Sequence, residues 1–244
     1  MAIHKQKPAL CRCSVANEEH KRSIRSFVRR AGRMTASQQK ALDELWPVYG
    51  IEFEAQLLEL KQIFGRTAPV VLEIGFGNGD SLVQLANDDP SSDFLGIEVH
   101  DPGIGHCMIA ARAAAVENLK IIAHDAIEVL EQQIAAASLA RINLYFPDPW
   151  PKARHHKRRI VQPSFLELCA SRLQSKGSLH IATDWENYAE HIDEVLAESP
   201  LFDCVERREH DGDQPLSRPA TKFERRGLRK GHRIWDWRFQ KIDL

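Results

Sequence analysis

The chain has 244 residues, 43% of them hydrophobic and 27% charged, with 33 Lys plus Arg against 34 Asp plus Glu. That is enough apolar chain for one large α/β domain or two small ones, and the near-neutral balance excludes attachment to nucleic acid by bulk charge, leaving only local clusters to do it. No apolar run approaches membrane length, no signal-peptide core follows Met1 and the five cysteines show no C-x-x-C spacing, so the expectation is a cytoplasmic protein with reduced thiols, no membrane partner and nothing that specifies an oligomeric state.

Residues 1 to about 34 show little periodicity and carry Lys21, Arg22, Arg25, Arg29, Arg30 and Arg33, with no acid from 21 to 33. This predicts a flexible basic arm that either orders on a partner or stays a solvated tail, ahead of a single domain over 35–244. From Thr35 the pattern turns helical, with Thr35 or Ser37 as N-cap and Leu42, Leu45, Trp46 and Tyr49 at core spacing. Phe53, Leu57, Leu60 and Phe64 predict a second helix ended by Gly65. The β-branched run Val70 to Ile74 then leads into Gly75-Phe76-Gly77-Asn78-Gly79-Asp80 and a helix. Strand, glycine loop and helix in that order let a bare backbone approach a ligand at a helix N-terminus, with Gly75 and Gly77 as candidate cofactor contacts. The next strand, Asp93 to Val99, carries Glu98 nineteen residues past Gly79, the spacing at which a carboxylate reaches ribose hydroxyls. The G-x-G-x-x-G spacing of dinucleotide sites is absent, and Glu73 and Asp80 flank the loop. Acids there disfavour a pyrophosphate but suit a sulfonium with an aminoacyl group, so the pattern favours S-adenosylmethionine.

Ile104, Cys107, Met108 and Ala111 mark a further helix, and the strand Leu119 to Ala123 delivers Asp125, either an acceptor for an adenine amino group or the N-cap of a helix from about Ala126 to Ala137. The strand Ile142 to Phe146 must stop at Pro147, Pro149 and Pro151, which lack amide donors. Phe146, Asp148 and Trp150 each precede a proline, which predicts extended backbone and sets Asp148 just past a strand end, where open α/β sheets bind ligands. Lys152, Arg154, Lys157, Arg158 and Arg159 follow, either a polyanion-binding patch or a solvated charge run. His155 and His156 among these cations would repel a metal ion, so none is expected. A helix from Ser164 to Leu173, a strand from Ser178 to Thr183 ending at Asp184 and a helix from Trp185 to Leu196 come next. Cys204 to Arg208 and Ile234 to Phe239 predict an antiparallel hairpin around a polar loop, in which residues 222 to 233 hold six cations against Glu224 alone.

These segments together resemble the tRNA guanine-N7 methyltransferase family of class I, S-adenosylmethionine-dependent enzymes. The resemblance rests on Ser26-Phe-Val-Arg-Arg, Glu44-Leu-Trp-Pro, Leu72-Glu-Ile-Gly-Phe-Gly-Asn-Gly, Gly96-Ile-Glu, His124-Asp-Ala and Phe146-Pro-Asp-Pro-Trp. It continues through Lys152-Ala-Arg-His-His-Lys-Arg-Arg, Ala182-Thr-Asp-Trp, Arg218-Pro-Ala-Thr-Lys-Phe-Glu, Gly231-His and Trp235. Pro151 stands where some members carry histidine, and residues 1–20 match no motif. The family implies a Rossmann-like, doubly wound α/β fold, its sheet of seven strands mostly parallel with a C-terminal antiparallel hairpin. It implies that Glu73, Glu98, Asp125 and Asp148 contact the cofactor, with Glu98 on the ribose, Asp125 by the adenine and Asp148 the active-site residue. It also implies that Lys152, Asp184, Thr221, Lys222, Phe223 and Glu224 meet the substrate, that Arg154, His155, His156, Lys157, Arg158 and Arg159 bind RNA, and that the modified base is a guanosine of the tRNA variable loop. Trp150 and Phe223 are either stacking surfaces for that base or core aromatics. A dinucleotide oxidoreductase and an RNA-binding protein without catalysis are the competing readings.

Overall fold

In the computed structural model, which describes residues 25–27, 32–212 and 218–243, the first helix, α1 (Ala36–Tyr49), is set by a reciprocal cap. The Thr35 hydroxyl accepts from Gln38 N at 3.2 Å and Gln38 Oε1 accepts from Thr35 N at 2.9 Å, so two otherwise orphaned amides are satisfied. The chain continues through β1 (Gly50–Ile51), α2 (Leu60–Phe64), β2 (Val70–Ile74), α3 (Asp80–Asp88), β3 (Asp93–Ile97), α4 (Asp101–Ala113), β4 (Leu119–Ile122) and α5 (Ala126–Gln132). It then forms β5 (Leu139–Tyr145), a 3-10 helix (Ala153–Arg158), α6 (Pro163–Arg172), β6 (Leu173–Thr183), α7 (Glu186–Ala197), β7 (Phe202–His210), α8 (Lys222–Arg229) and β8 (Ile234–Lys241). Most of the predicted arm, 1–34, lies outside the described residues.

All eight strands join one sheet in the order β1-β4-β3-β2-β5-β6-β8-β7. The first six are parallel, and β8 runs antiparallel to both β6 and β7. Alternate side chains feed two cores. Val70, Leu72, Ile74, Leu95, Ile97, Ile142, Leu144, Leu179 and Ile181 pack with α5, α6 and α7 on one face, and Val71, Phe94, Leu119 and Ile121 pack with α1, α3 and α4 on the other. Because helices cover both faces, β2 and β3 are buried throughout, with only Glu73 on β2 and Asp93 on β3 charged. The chain winds outward from β2 to β4 and then returns to β5, so β2 and β5 meet at the topological switch point, where a crevice opens past their carboxyl ends.

Three expectations need correction. The sheet has eight strands rather than seven, because Gly50 and Ile51 pair with Ile121 and Ile122 at the edge of β4. The predicted helix over Phe53 to Phe64 shrinks to α2, since Phe53 stacks on His124 at 3.6 Å and Leu58 N donates to Gln133 O, contacts that hold this stretch off the helix. The polar loop between the last two strands contains α8, opened by a second reciprocal cap between Thr221 and Glu224.

Gly79 closes the glycine loop with φ of 79°, and a methyl group there would collide with the Cys107 side chain on α4. We expect Gly79→Ala to lower the unfolding free energy by about 1–3 kcal/mol from overpacking alone, read as a reduced urea midpoint with unchanged slope.

Candidate active site

The glycine loop is held in shape by Glu98. Gly75, Gly77 and Gly79 all have positive φ, which side chains tolerate poorly. The Glu98 carboxylate accepts from the amides of Gly77 at 2.7 Å, Val99 at 2.6 Å and His100 at 3.1 Å, tying the end of β3 to the loop after β2. Burial pushes this carboxyl up from its ordinary value, and the three amides oppose that shift. Glu98, Gly75 and Gly77 line a cavity of about 340 Å³ that also reaches His124, Tyr145 and Asp148.

A second cavity of about 290 Å³ shares Gly75, Gly77, His100, Tyr145 and Phe223 with the first and extends it towards Glu73, Asp80 and Ser81. Glu73 is 2% exposed, its Oε2 has no hydrogen-bond partner, and burial pushes its carboxyl up to about 7 against the pull of Arg218, Ser81 and Arg141. A buried carboxylate oxygen without a donor fits an ammonium group. The two lobes therefore fit S-adenosylmethionine, and Glu98 and Glu73 are carboxylates that could hold its ribose and its amino group. A pyrophosphate would meet Glu73, Asp80 and Glu98 together, the wrong charge for this helix N-terminus.

Asp125 caps α5, its Oδ1 accepting from Ile127 N at 3.0 Å, while its neighbours His124 and Ala126 line the first cavity. Burial pushes its carboxyl up as well.

Past β5 the backbone differs from the extended path expected of residues before proline. Phe146 and Trp150 take φ of 53° and 47°, a conformation that costs about 1–3 kcal/mol at a non-glycine residue. Both are held from outside. Phe146 N donates to Ala182 O at 2.7 Å, and Trp150 donates from Nε1 to Ser26 O at 2.9 Å with the Arg158 guanidinium 3.9 Å over its ring. The bent segment leaves Asp148 exposed on the cavity rim.

The basic run divides by position. Lys152, Arg154 and Lys157 are exposed, and His155 and His156 are half-buried. Arg158 donates to the carbonyls of Arg25 and Phe27, holding that short stretch beside the first cavity. Arg159, expected to face RNA, is instead 2% exposed. Its guanidinium donates to Pro149 O, Asn187 O and Asn187 Oδ1 and lies over Tyr188, because the loop after β5 needs a brace against α7.

Lys222 and Phe223 are exposed and line the second cavity with Thr221. Glu224, expected to meet substrate, points inward at 1% exposure and accepts from Arg218 Nη1 at 2.6 Å. Asp184 accepts from His232 Nδ1 at 3.1 Å outside the cofactor lobes. Sequence reasoning gave no role to Arg218, Tyr145, His180 or Asp236, which form a buried chain: Tyr145 Oη to His180 Nδ1 at 3.1 Å, His180 Nε2 to Asp236 Oδ1 at 2.7 Å, and Arg218 Nε to Asp236 Oδ2 at 2.8 Å. The Thr-x-x-Glu capping signature at 221–224 was the available signal for α8. Among the described residues, no group of three His, Cys, Asp or Glu side chains could hold a metal ion.

A family model described as "Putative methyltransferase" matches residues 67–237. The chain is 53% identical over 231 residues to a tRNA (guanine-N(7)-)-methyltransferase of Aeromonas hydrophila, covering 94% of this chain and 98% of that one. It is 54% identical over 222 residues to the enzyme of the same description from Edwardsiella ictaluri, covering 91% and 93%. Among solved structures, a 16S rRNA methyltransferase superposes with a TM-score of 0.54 at 15% identity over 77% of this chain and 95% of that one, which shows a shared fold.

Two expectations follow from this geometry. Arg159→Ala should lower thermal stability clearly while leaving the salt slope of RNA binding nearly intact, whereas Arg154→Ala should do the reverse; thermal unfolding and a salt-series titration read the two effects. The second concerns Glu73. Its carboxyl must ionise to hold an ammonium group, so as pH falls from about 7.5 to 5.5 a growing share is protonated and S-adenosylmethionine affinity weakens, up to about tenfold per pH unit below the apparent pKa. Glu73→Gln should flatten that slope in a calorimetric series.

Proposed function

The chain belongs to the tRNA (guanine-N(7)-)-methyltransferase family, and from that premise we propose that it methylates N7 of a guanosine in the tRNA variable loop at the rim that carries Asp148. S-adenosylmethionine supplies an activated methyl group on a sulfonium. The observation that carries the reading is the two-lobed cavity at the switch point, acidic at Glu73 and Glu98, with a carboxylate on its rim.

Guanine N7 has a free lone pair at neutral pH, so the protein need not remove a proton. The protein's task is to hold nitrogen, methyl carbon and sulfur in line at near-attack distance. As the bond forms the purine gains positive charge, and Asp148, fixed on a segment pinned at Phe146 and Trp150, favours that charge in the transition state. Glu73, Gly75, Gly77, Glu98 and Asp125 are assigned to the cofactor, and Lys152, Thr221, Lys222 and Phe223 to the nucleotide. Phe223 is 49% exposed beside the glycine loop and presents a face for stacking a base drawn out of the tRNA fold.

RNA phosphates are assigned to Arg154, Lys157 and the exposed cations Lys222, Arg225, Arg226, Arg229 and Lys230 of α8 and its end, with the basic run at 21–33 as an arm reaching the same polyanion. No helix among the described residues is long and apolar enough to cross a membrane, and the tRNA substrate implies work in the cytoplasm.

Asp148→Asn should keep cofactor affinity and cut single-turnover methyl transfer by about 100-fold, as for loss of one preorganised electrostatic partner. At saturating cofactor the unmutated rate should stay nearly flat from about pH 7 to 9, since N7 needs no base there. A log-linear rise with pH, or a product that resists the alkaline ring opening of a cationic purine, would sink the assignment.

A further inference from the structure

The carboxyl ends of β2, β3 and β4 lie side by side, and the two cofactor lobes between them cross all three. Glu73 belongs to the first strand and Glu98 follows the second. Base and aminoacyl chain leave a ribose on opposite sides, so a cofactor with its amino group at Glu73 and its ribose at Glu98 carries its adenine past the end of β4. There Val99 and Ala126 give the first cavity an apolar wall, which suits a flat ring but distinguishes no base. Asp125 commits one carboxylate oxygen to the amide of Ile127, and the residue that lines the cavity at this strand end is its neighbour, His124.

Two further elements converge on that imidazole. β1 pairs in parallel with β4, Gly50 with Ile121 and Ile51 with Ile122, so the chain two residues beyond brings Phe53 level with His124. The two rings stack with centroids 3.6 Å apart and planes 9° apart. Glu128, in the first turn of α5, bonds Nε2 of the same ring. A carboxylate only accepts, so Nε2 carries the proton, and in the neutral imidazole Nδ1 is left as an acceptor. Stacking fixes the plane of the ring and the carboxylate fixes its tautomer.

We propose that His124 reads the adenine of S-adenosylmethionine, its Nδ1 accepting one N–H of the exocyclic amine, with Phe53 and Glu128 as positioning residues that hold the ring. The amine has two N–H groups, so this acceptor adds to the second oxygen of Asp125 rather than competing with it. The short edge strand β1 thereby acts on the cofactor without touching it, through the aromatic face it carries to His124. The inference rests on the proposed S-adenosylmethionine site and names a side chain that selects its base.

The test compares S-adenosylhomocysteine with S-inosylhomocysteine, in which a carbonyl replaces the amine. Calorimetric affinities are measured for the unmutated protein, for His124→Phe, which keeps an aromatic ring against Phe53 but has no acceptor, and for Glu128→Ala, which frees the imidazole to turn over. The unmutated protein should prefer the adenine compound by about 100-fold or more, because the carbonyl would face the lone pair of Nδ1. His124→Phe should cut that preference by about tenfold or more, mainly through weaker binding of the adenine compound, and Glu128→Ala should cut it several-fold. A merely structural role would weaken both ligands alike and leave their ratio where it was. An undiminished preference in His124→Phe would overturn the proposal, as would an unmutated protein that binds both compounds equally; if His124→Phe does not fold, an undiminished preference in Glu128→Ala overturns it. An unmutated protein that binds neither compound would instead remove the cofactor reading beneath it.

Discussion

The buried guanidinium of Arg218 is the constraint on which the α8 side of the crevice depends. On the sheet face that α3 and α4 cover elsewhere, Glu73, Asn143, Tyr145, His180 and Asp236 form a buried polar row. Arg218 covers it, pairing with Asp236 on β8 and Glu224 on α8 and lying against the rings of Tyr145 and Phe146. Burial works against its charge, but the two carboxylates hold it, and breaking one side of such a pair typically costs about 3–5 kcal/mol. Segment 218–229 is thus fixed where both carboxylates meet the guanidinium. The places of Phe223 and Gly227 follow, the first in the wall of both cofactor lobes and the second packed against Asp184.

Charge is sorted around this frame. The floor of the crevice is acidic, with Glu73, Asp80 and Glu98 around the glycine loop, and exposed cations at Arg154, Lys157 and along α8 lie beyond it. A near-neutral chain can therefore present an anionic pocket to a cationic cofactor and a basic surface to a polyanion, without strong net charge of either sign.

Much of this was legible because local sequence dictates it. Val70 to Gly79 can scarcely do otherwise than form a strand and a loop that needs positive φ, and the distance from Gly79 to Glu98 is set by one helix and one turn. What was hidden depends on partners far along the chain. Arg159 looks like any other cation in its run, and Asn187 and Tyr188 of α7, with the Pro149 carbonyl, draw it inside. Helix α8 has no broad apolar stripe, so periodicity missed it; its two buried residues are Glu224 and Gly227. Phe146 and Trp150 leave the path that their prolines favour because Ala182 and Ser26 hold their donors. At Arg159, Phe146 and Trp150 a tertiary contact overrides a local preference, and Phe146 and the α8 residue Phe223 line the cofactor lobes.

The place of β8 also bears on how the chain folds. This strand lies inside the sheet, between β6 and β7, and among the described residues β7 pairs with no other strand. Until β8 is in place, β6 has one side unpaired and β7 has no partner among the described residues, open edges of the kind that invite association between chains. Trp237 at the centre of β8 and Asp236 beside it then arrive together, so the last apolar layer and the counter-charge for Arg218 enter in one step. The α8 side of the crevice thus stays unbraced until a strand that follows it in sequence has entered the sheet.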